Sequence, residues 1–259
     1  MELSVVIPVK NEAGNIAPLV AEIAAALDGL IDYEIVYVDD GSNDATAVEI
    51  RELQQAMPRL RLLRHAESRG QSAAIRSGVK AARGQWIATL DGDGQNDPAD
   101  IPGLWQIARA SPPMTPVLIA GQRVHRQDSW TKRRASRFAN AVRRRLLRDD
   151  TPDTGCGLKL FPRALFLDLP YFDHMHRFLP ALTLREGGVV RSVPVNHRPR
   201  QRGTSNYGVF DRLGVGIVDL LGVLWLRRRA ARPRFIEEPI TGTAPVKTRS
   251  VDQPAEPVS

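Results

Sequence analysis

The chain has 259 residues, 42% of them hydrophobic and 25% charged, with a formal charge of +7. That balance excludes a disordered, collagen-like or disulfide-scaffold protein and leaves room for one substantial core. A single cysteine, Cys156, excludes an intramolecular disulfide and points to a reducing compartment.

The chain opens on an apolar run, Leu3–Val9, with no basic region before it, so no secretory signal is expected. A polar turn and a helix over 15–27 follow. Strands are expected at 33–38, 60–64 and 85–90, and helices at 44–56 and 71–82. Short β-rich runs alternating with helices of this length imply βαβ units and a mostly parallel sheet. Ligands of such sheets sit beyond the carboxyl ends of the strands. Three polar clusters fall there: Lys10-Asn11-Glu12, Asp39-Asp40-Gly41-Ser42 and Asp91-Gly92-Asp93-Gly94-Gln95.

The second half is less regular. A helix from about Pro98 leads to a strand at 116–120 and a basic segment, helical from about Ser129. Between Gly121 and Arg148 there are ten Lys or Arg and one acid, Asp128, so this segment carries +9 and the remainder nets −2. Such a block suits a polyanion: nucleic acid, anionic lipid or a phosphorylated substrate. Residues 155–161 read as a strand, 174–186 as a helix, 189–195 as a strand and 197–207 as a basic Gly/Ser loop. Leu213–Leu226 is apolar except for Asp219 and glycines, and Arg227-Arg228-Arg229 follows. Fourteen residues are too few to span a bilayer, which takes about 20. From Glu237 the composition is that of a disordered tail.

Asp91-Gly92-Asp93 closes the apolar strand Gln85–Leu90, and two carboxylates one residue apart can share a divalent cation facing a diphosphate. Gln95 adds a neutral oxygen, and such hard ligands suit Mg2+ or Mn2+. An acidic turn after a strand is the alternative for each cluster taken alone; three clusters at neighbouring strand ends point to one site. Cys156, between two glycines and without a second cysteine, reads as a small packing residue lining that site.

The runs Val5-Val-Ile-Pro-Val-Lys-Asn-Glu12, Val38-Asp-Asp-Gly-Ser-Asn-Asp-Ala-Thr46, Gly70-Gln-Ser-Ala-Ala74 with Gly78, and Asp91-Gly-Asp-Gly-Gln-Asn-Asp-Pro98 resemble the inverting family 2 glycosyltransferases of the GT-A fold. Asp153-Thr-Gly-Cys-Gly-Leu-Lys-Leu-Phe161 and Arg200-Gln-Arg-Gly-Thr-Ser-Asn-Tyr207 resemble the polyprenyl- or dolichyl-phosphate mannosyltransferase-like branch, over about residues 3–210. Lys10 stands where an aromatic residue is common in that family, and Ser68 where an asparagine is.

The resemblance implies roles. Pro8, Asn11 and Glu12 line the base, Asp40 contacts the nucleoside, and Asp91 the nucleotide or donor sugar. Asp93 and Gln95 hold the cation. Arg123, Lys132, Arg133, Ser136, Arg200 and Ser205 bind the lipid phosphate, and His176 and Arg177 reach the donor diphosphate. Asp91, Asp93, Arg123 and Arg200 are the catalytic set. No general base is assigned, because a lipid phosphate is already anionic.

The expected organisation is a GT-A domain over 1–207 with a mostly parallel sheet, an amphipathic membrane-interface helix over 208–229 and a disordered tail over 230–259. The expected activity is transfer of a hexose, mannose first, from GDP-mannose or a UDP-hexose to a polyprenyl phosphate. It takes place peripherally on the cytoplasmic face of an anionic membrane, with an integral membrane partner as another cover for the apolar stripe. The alternatives are glucosyl or aminoarabinosyl transfer to undecaprenyl phosphate, and a soluble transferase acting on a glycan hydroxyl. A basic nucleic-acid-binding protein is disfavoured, because acidic clusters at the strand ends repel phosphates.

Overall fold

The computed structural model describes residues 1–112, 115–124, 143–199 and 211–231. Seven strands form one sheet: β1 (Leu3–Val9), β2 (Tyr33–Asp39), β3 (Leu60–Arg64), β4 (Trp86–Thr89), β5 (Val117–Arg123), β6 (Lys159–Pro162) and β7 (Val189–Val195). Their order is β3-β2-β1-β4-β6-β5-β7. All neighbouring pairs are parallel except those made by β6, which enters antiparallel between β4 and β5. The sheet is therefore mixed, in a GT-A-like α/β arrangement with helices on both faces.

The alternation of β1 explains the two cores. Leu3, Val5, Ile7 and Val9 point to one face, where they meet α1 (Ile16–Leu27) and α4 (Ile101–Arg109). Val6 joins Val36 and Val38 on the other, under α3 (Gln71–Ala81). Helix α3 lies close because residue 78 is glycine: a Cβ there would stand 2.4 Å from Val6 Cγ1. Between β2 and β3 runs α2 (Thr46–Ala56).

Several boundaries differ from the sequence reading. The fifth strand runs on to Arg123, held by β7 along its whole length. The sixth starts only at Lys159, after a turn at Thr154-Gly155. A short helix, α5 (Arg163–Asp168), was not expected. The helix expected over 174–186 is broken into a 3-10 turn, Met175–Arg177, and α6 (Leu179–Arg185). Pro180 explains the restart, because proline suits the first turn of a helix and not its interior.

The last described helix is α7 (Asp211–Arg228). It does not stand apart as a separate interface element: Leu220, Val223, Leu224 and Leu226 pack on the second core, beside α6. The apolar stripe read from the sequence therefore divides. Leu220 and Leu224 are inward, while Ile217, Val218, Leu221 and Trp225 are 54–69% exposed. The Leu213 side chain lies outside the described residues. Among the described residues, no helix is long and apolar enough to cross a membrane.

Candidate active site

The carboxyl ends of β1, β2 and β4 adjoin, and the loops leaving them are tied together. Asn11 takes a left-handed backbone (φ 56). Its N–H donates to Ser42 Oγ (2.9 Å), and its Oδ1 accepts from Asn43 N–H (3.0 Å). Glu12 N–H donates to Thr46 Oγ1 (2.9 Å), and the Glu12 carboxylate accepts from Asn15 Nδ2 (2.7 Å). Asn11 and Glu12 thus form one edge with the 41–46 loop, while Pro8 sits back in β1, paired in register with Val38.

Asp40 is not turned toward that edge. One oxygen accepts from Arg69 N–H (2.8 Å) and lies 2.7 Å from His65 Nδ1; the other accepts from Ser68 Oγ (2.7 Å) and Gly70 N–H (2.8 Å). Burial alone would raise its pKa, but these partners hold it below the usual carboxylate range. The sequence reading gave Asp40 a nucleoside contact; both oxygens are instead taken up in bracing the loop before α3. Asp39 is similarly engaged by Ser42 N–H (2.8 Å) and Arg64 Nε (2.8 Å).

The Asp91–Asp93 turn packs directly on β1, where a Cβ on Gly92 would lie 2.4 Å from Val9 Cγ1. Asp91 N–H donates to Asn96 Oδ1 (3.1 Å), and Asp91 Oδ1 accepts from Gln71 Nε2 (2.9 Å). Burial, and then the charge of Asp93, push the Asp91 carboxyl up to about 6. Asp93 is buried, and Gln95 N–H donates to its Oδ1 (3.1 Å). Residue 157 must be glycine, since a Cβ there would stand 2.3 Å from Asp91 Oδ2.

Beside Asp91 opens a cavity of about 350 Å³ lined by Gln71, Thr89, Arg123, Cys156, Lys159, His176 and Arg177 among others. Arg123 forms a fork with Asp153 through Nε (2.7 Å) and Nη2 (2.8 Å). Lys159 is buried, donates to the Cys156 carbonyl, and its pKa is lowered by desolvation. His176 is held well below its ordinary pKa by burial and then by neighbouring cations, so it is neutral at pH 7. Its Nδ1 lies 2.7 Å from Ser72 Oγ. A second cavity, of about 380 Å³ near Trp86, Val117 and Pro162, sits at the opposite end of the sheet and holds none of these groups.

Of the expected site residues, the structure gathers Asp91, Arg123, His176 and Arg177 around the cavity, with Asp93 and Gln95 on the adjoining turn. Lys132, Arg133, Ser136, Arg200 and Ser205 lie outside the described residues. Lys159, Gln71 and Asp153 were missed. A lysine inside the apolar run Leu158-Lys-Leu-Phe161 was the available signal for the first. Gln71 and Asp153 stand inside the runs 70–74 and 153–161, but their partners lie 20 and 30 residues away.

The donor set fits a divalent cation. Two carboxylates one residue apart repel each other, as the raised Asp91 carboxyl records, and a dication would relieve that repulsion. Among the described residues no three His, Cys, Asp or Glu are grouped so as to hold a metal ion by themselves.

A family model described as "Glycosyl transferase family 2" matches residues 4–169. The chain is 37% identical over 242 residues to a dodecaprenyl-phosphate galacturonate synthase of Rhizobium johnstonii, covering 90% of this chain and 69% of that protein. It is 35% identical over 216 residues to an undecaprenyl-phosphate 4-deoxy-4-formamido-L-arabinose transferase of Edwardsiella ictaluri, covering 82% and 65%. The chain thus spans about two-thirds of the length of these curated relatives. Among solved structures it is similar to glucosyl-3-phosphoglycerate synthase from Mycobacterium tuberculosis in complex with UDP, with a TM-score of 0.63 at 21% identity, covering 89% and 81%. The same enzyme with Mn2+, UDP and phosphoglyceric acid gives 0.61 at 20% identity, covering 90% and 80%. These two likenesses concern the fold. With a family model over most of its sheet and relatives above 30% identity, the chain belongs to glycosyl transferase family 2 and is a glycosyltransferase.

Proposed function

We propose that this chain transfers a sugar from a nucleoside-diphosphate donor to a polyprenyl phosphate, with inversion, at a membrane surface. The observation that carries the reading is the cavity beside Asp91, whose lining includes Arg123, Lys159 and Arg177, with Arg123 held by Asp153. A transfer between two phosphate-bearing substrates needs cationic side chains gathered at one place. The names of the two curated relatives also favour the aminoarabinosyl-type alternative over mannose. They specify galacturonate and 4-deoxy-4-formamido-L-arabinose carried on dodecaprenyl or undecaprenyl phosphate.

In this reading Pro8, Asn11 and Glu12 border the nucleoside, while Asp40 acts through the loop it braces. Asp91, Asp93 and the Gln95 side-chain oxygen would hold Mg2+ or Mn2+, which supplies charge neutralisation for the diphosphate leaving group. Mn2+ accompanies UDP in the solved enzyme of the same fold. A phosphate oxygen of the acceptor attacks the anomeric carbon, and the nucleoside diphosphate departs from the opposite face. The acceptor is ionised beforehand, so no residue has to take its proton. Arg123, fixed by Asp153, and Arg177 then serve position and charge. Arg200, Ser205, Lys132, Arg133 and Ser136 are the further candidates for the lipid phosphate.

The exposed apolar residues of α7, followed by Arg227, Arg228 and Arg229, suit peripheral contact with an anionic membrane. The test is a donor screen with undecaprenyl phosphate, Mn2+ and radiolabelled UDP-galacturonate, UDP-4-deoxy-4-formamido-L-arabinose, GDP-mannose and UDP-glucose, scored by label in the organic phase. Transfer from one of the first two is expected. Transfer only to a water-soluble glycan would overturn the acceptor, and transfer only from GDP-mannose would overturn the donor.

A further inference from the structure

Between Leu213 and Leu226, helix α7 carries one charged residue, Asp219. A carboxylate is unfavourable on a helix that packs on an apolar core, and helix formation does not require it. Its position shows what it does. Asp219 Oδ2 lies 3.2 Å from His174 Nδ1, with the side chains only 18% and 33% exposed.

His174 is itself unusual. It is a non-glycine residue in the left-handed region (φ 61, ψ 7), a conformation most residues with a side chain avoid. Its N–H donates to Asp173 Oδ1 (2.8 Å), its carbonyl accepts from Arg177 N–H (3.1 Å), its Nε2 lies 3.7 Å from Asp173 Oδ2, and its Nδ1 meets Asp219. This residue opens the 3-10 turn Met175–Arg177, which delivers two side chains to the reaction cavity. His176 is anchored within that turn by Ser72, through both its ring and its N–H (3.3 Å). The same segment crosses the start of α3, where a Cβ on Gly70 would stand 3.6 Å from Asp173 Oδ1.

We propose that Asp219 is a positioning residue: through His174 it fixes the 3-10 turn that places His176 and Arg177 in the cavity, so that the seating of α7 sets the geometry of the site. The proposal rests on the transferase reading for its kinetic consequence, and on the Asp219–His174–turn geometry for its structural one. The nucleoside edge at residues 8–12 and 41–46 is formed by other elements. Loss of the latch should therefore reduce turnover more than nucleotide affinity.

The test uses Asp219→Ala, Asp219→Leu, His174→Gly and the double variant Asp219→Ala/His174→Gly of the full chain. Glycine adopts the left-handed backbone at 174 and brings no side chain to Asp219. Each single variant should lower kcat at least tenfold, with a smaller change in the Kd for UDP with Mn2+. The double variant should lose no more than the worse single one. Without any substrate, the 15N signals of the His176 ring should shift or broaden in Asp219→Ala. If Asp219→Leu does not fold, His174→Gly carries the same expectation. Wild-type kcat with unchanged His176 signals in Asp219→Ala, or losses that add in the double variant, would overturn the proposal. Should the wild-type protein transfer none of the donors, the functional reading falls and the His176 signals alone decide the latch.

Discussion

Replacing Asp91 with asparagine separates what the site needs for chemistry from what the fold tolerates. The folded carboxyl is raised from 3.8 to about 6, first by burial and then by Asp93. Between those pH values the folded chain keeps a proton that the unfolded chain has lost. Stability therefore falls as pH rises through that window and stays reduced above it. A rise of about two pH units corresponds to at most ~3 kcal/mol at pH 7, a ceiling because the group keeps contact with cavity water. Asparagine preserves the acceptor for Gln71 and removes the charge. Without metal, Asp91→Asn should thus melt higher than wild type at pH 7.5, and the difference should vanish near pH 4. Added Mn2+ should stabilise the wild type and leave the variant almost unchanged, while transfer by the variant drops at least 100-fold. Calorimetry across pH 4–8, with and without Mn2+, measures all of this. A variant that melts lower than wild type at pH 7.5 without metal would refute the reasoning.

Asp40→Ala should destabilise the fold by about 3–5 kcal/mol in urea denaturation, because it strands the Ser68 hydroxyl and the N–H groups of Arg69 and Gly70. Arg123→Lys keeps the charge but loses the fork to Asp153, and kcat should fall about 10- to 100-fold with UDP affinity retained by calorimetry. Leu221→Glu with Trp225→Glu should reduce sedimentation with anionic vesicles at least tenfold while leaving the melting temperature within about 1 °C, since both side chains are 58–60% exposed.

Strands β1, β2 and β4 were legible because an interior strand of a sheet is buried on both faces and reads as an apolar run. Val5-Val-Ile and Tyr33-Glu-Ile-Val-Tyr-Val are such runs, and each ends in the polar residues that the fold brings to one edge. Asp91 and Asp93 were legible for the same reason, standing where a buried strand stops. What escaped was decided at long range. Nothing in 155–162 announces that Lys159 begins a strand running against both neighbours, since direction is set by the partners. Asp40 read as a ligand because a carboxylate at a strand tip looks alike whether it faces a substrate or four donors from residues 65–70. The contact of His174 with Asp219 joins positions 45 residues apart, and only the packing of α7 brings them together.

The insertion of β6 between β4 and β5 has a consequence for how the protein is born. The nucleoside edge comes from β1 and β2 and their loops, all made within the first 46 residues. The cavity has no floor until Gly157 and Lys159 emerge and thread between two strands made earlier. Strand β5 has no outer neighbour until residue 195. Pairings this distant in the chain form late and slowly. A nascent chain stopped before residue 153 would display its acidic turns with Arg123 lacking Asp153 and Asp91 lacking the Gly157 backbone above it. Such a chain has the parts to meet a nucleotide without the finished cavity, so its competence as a catalyst waits on the residues beyond 153.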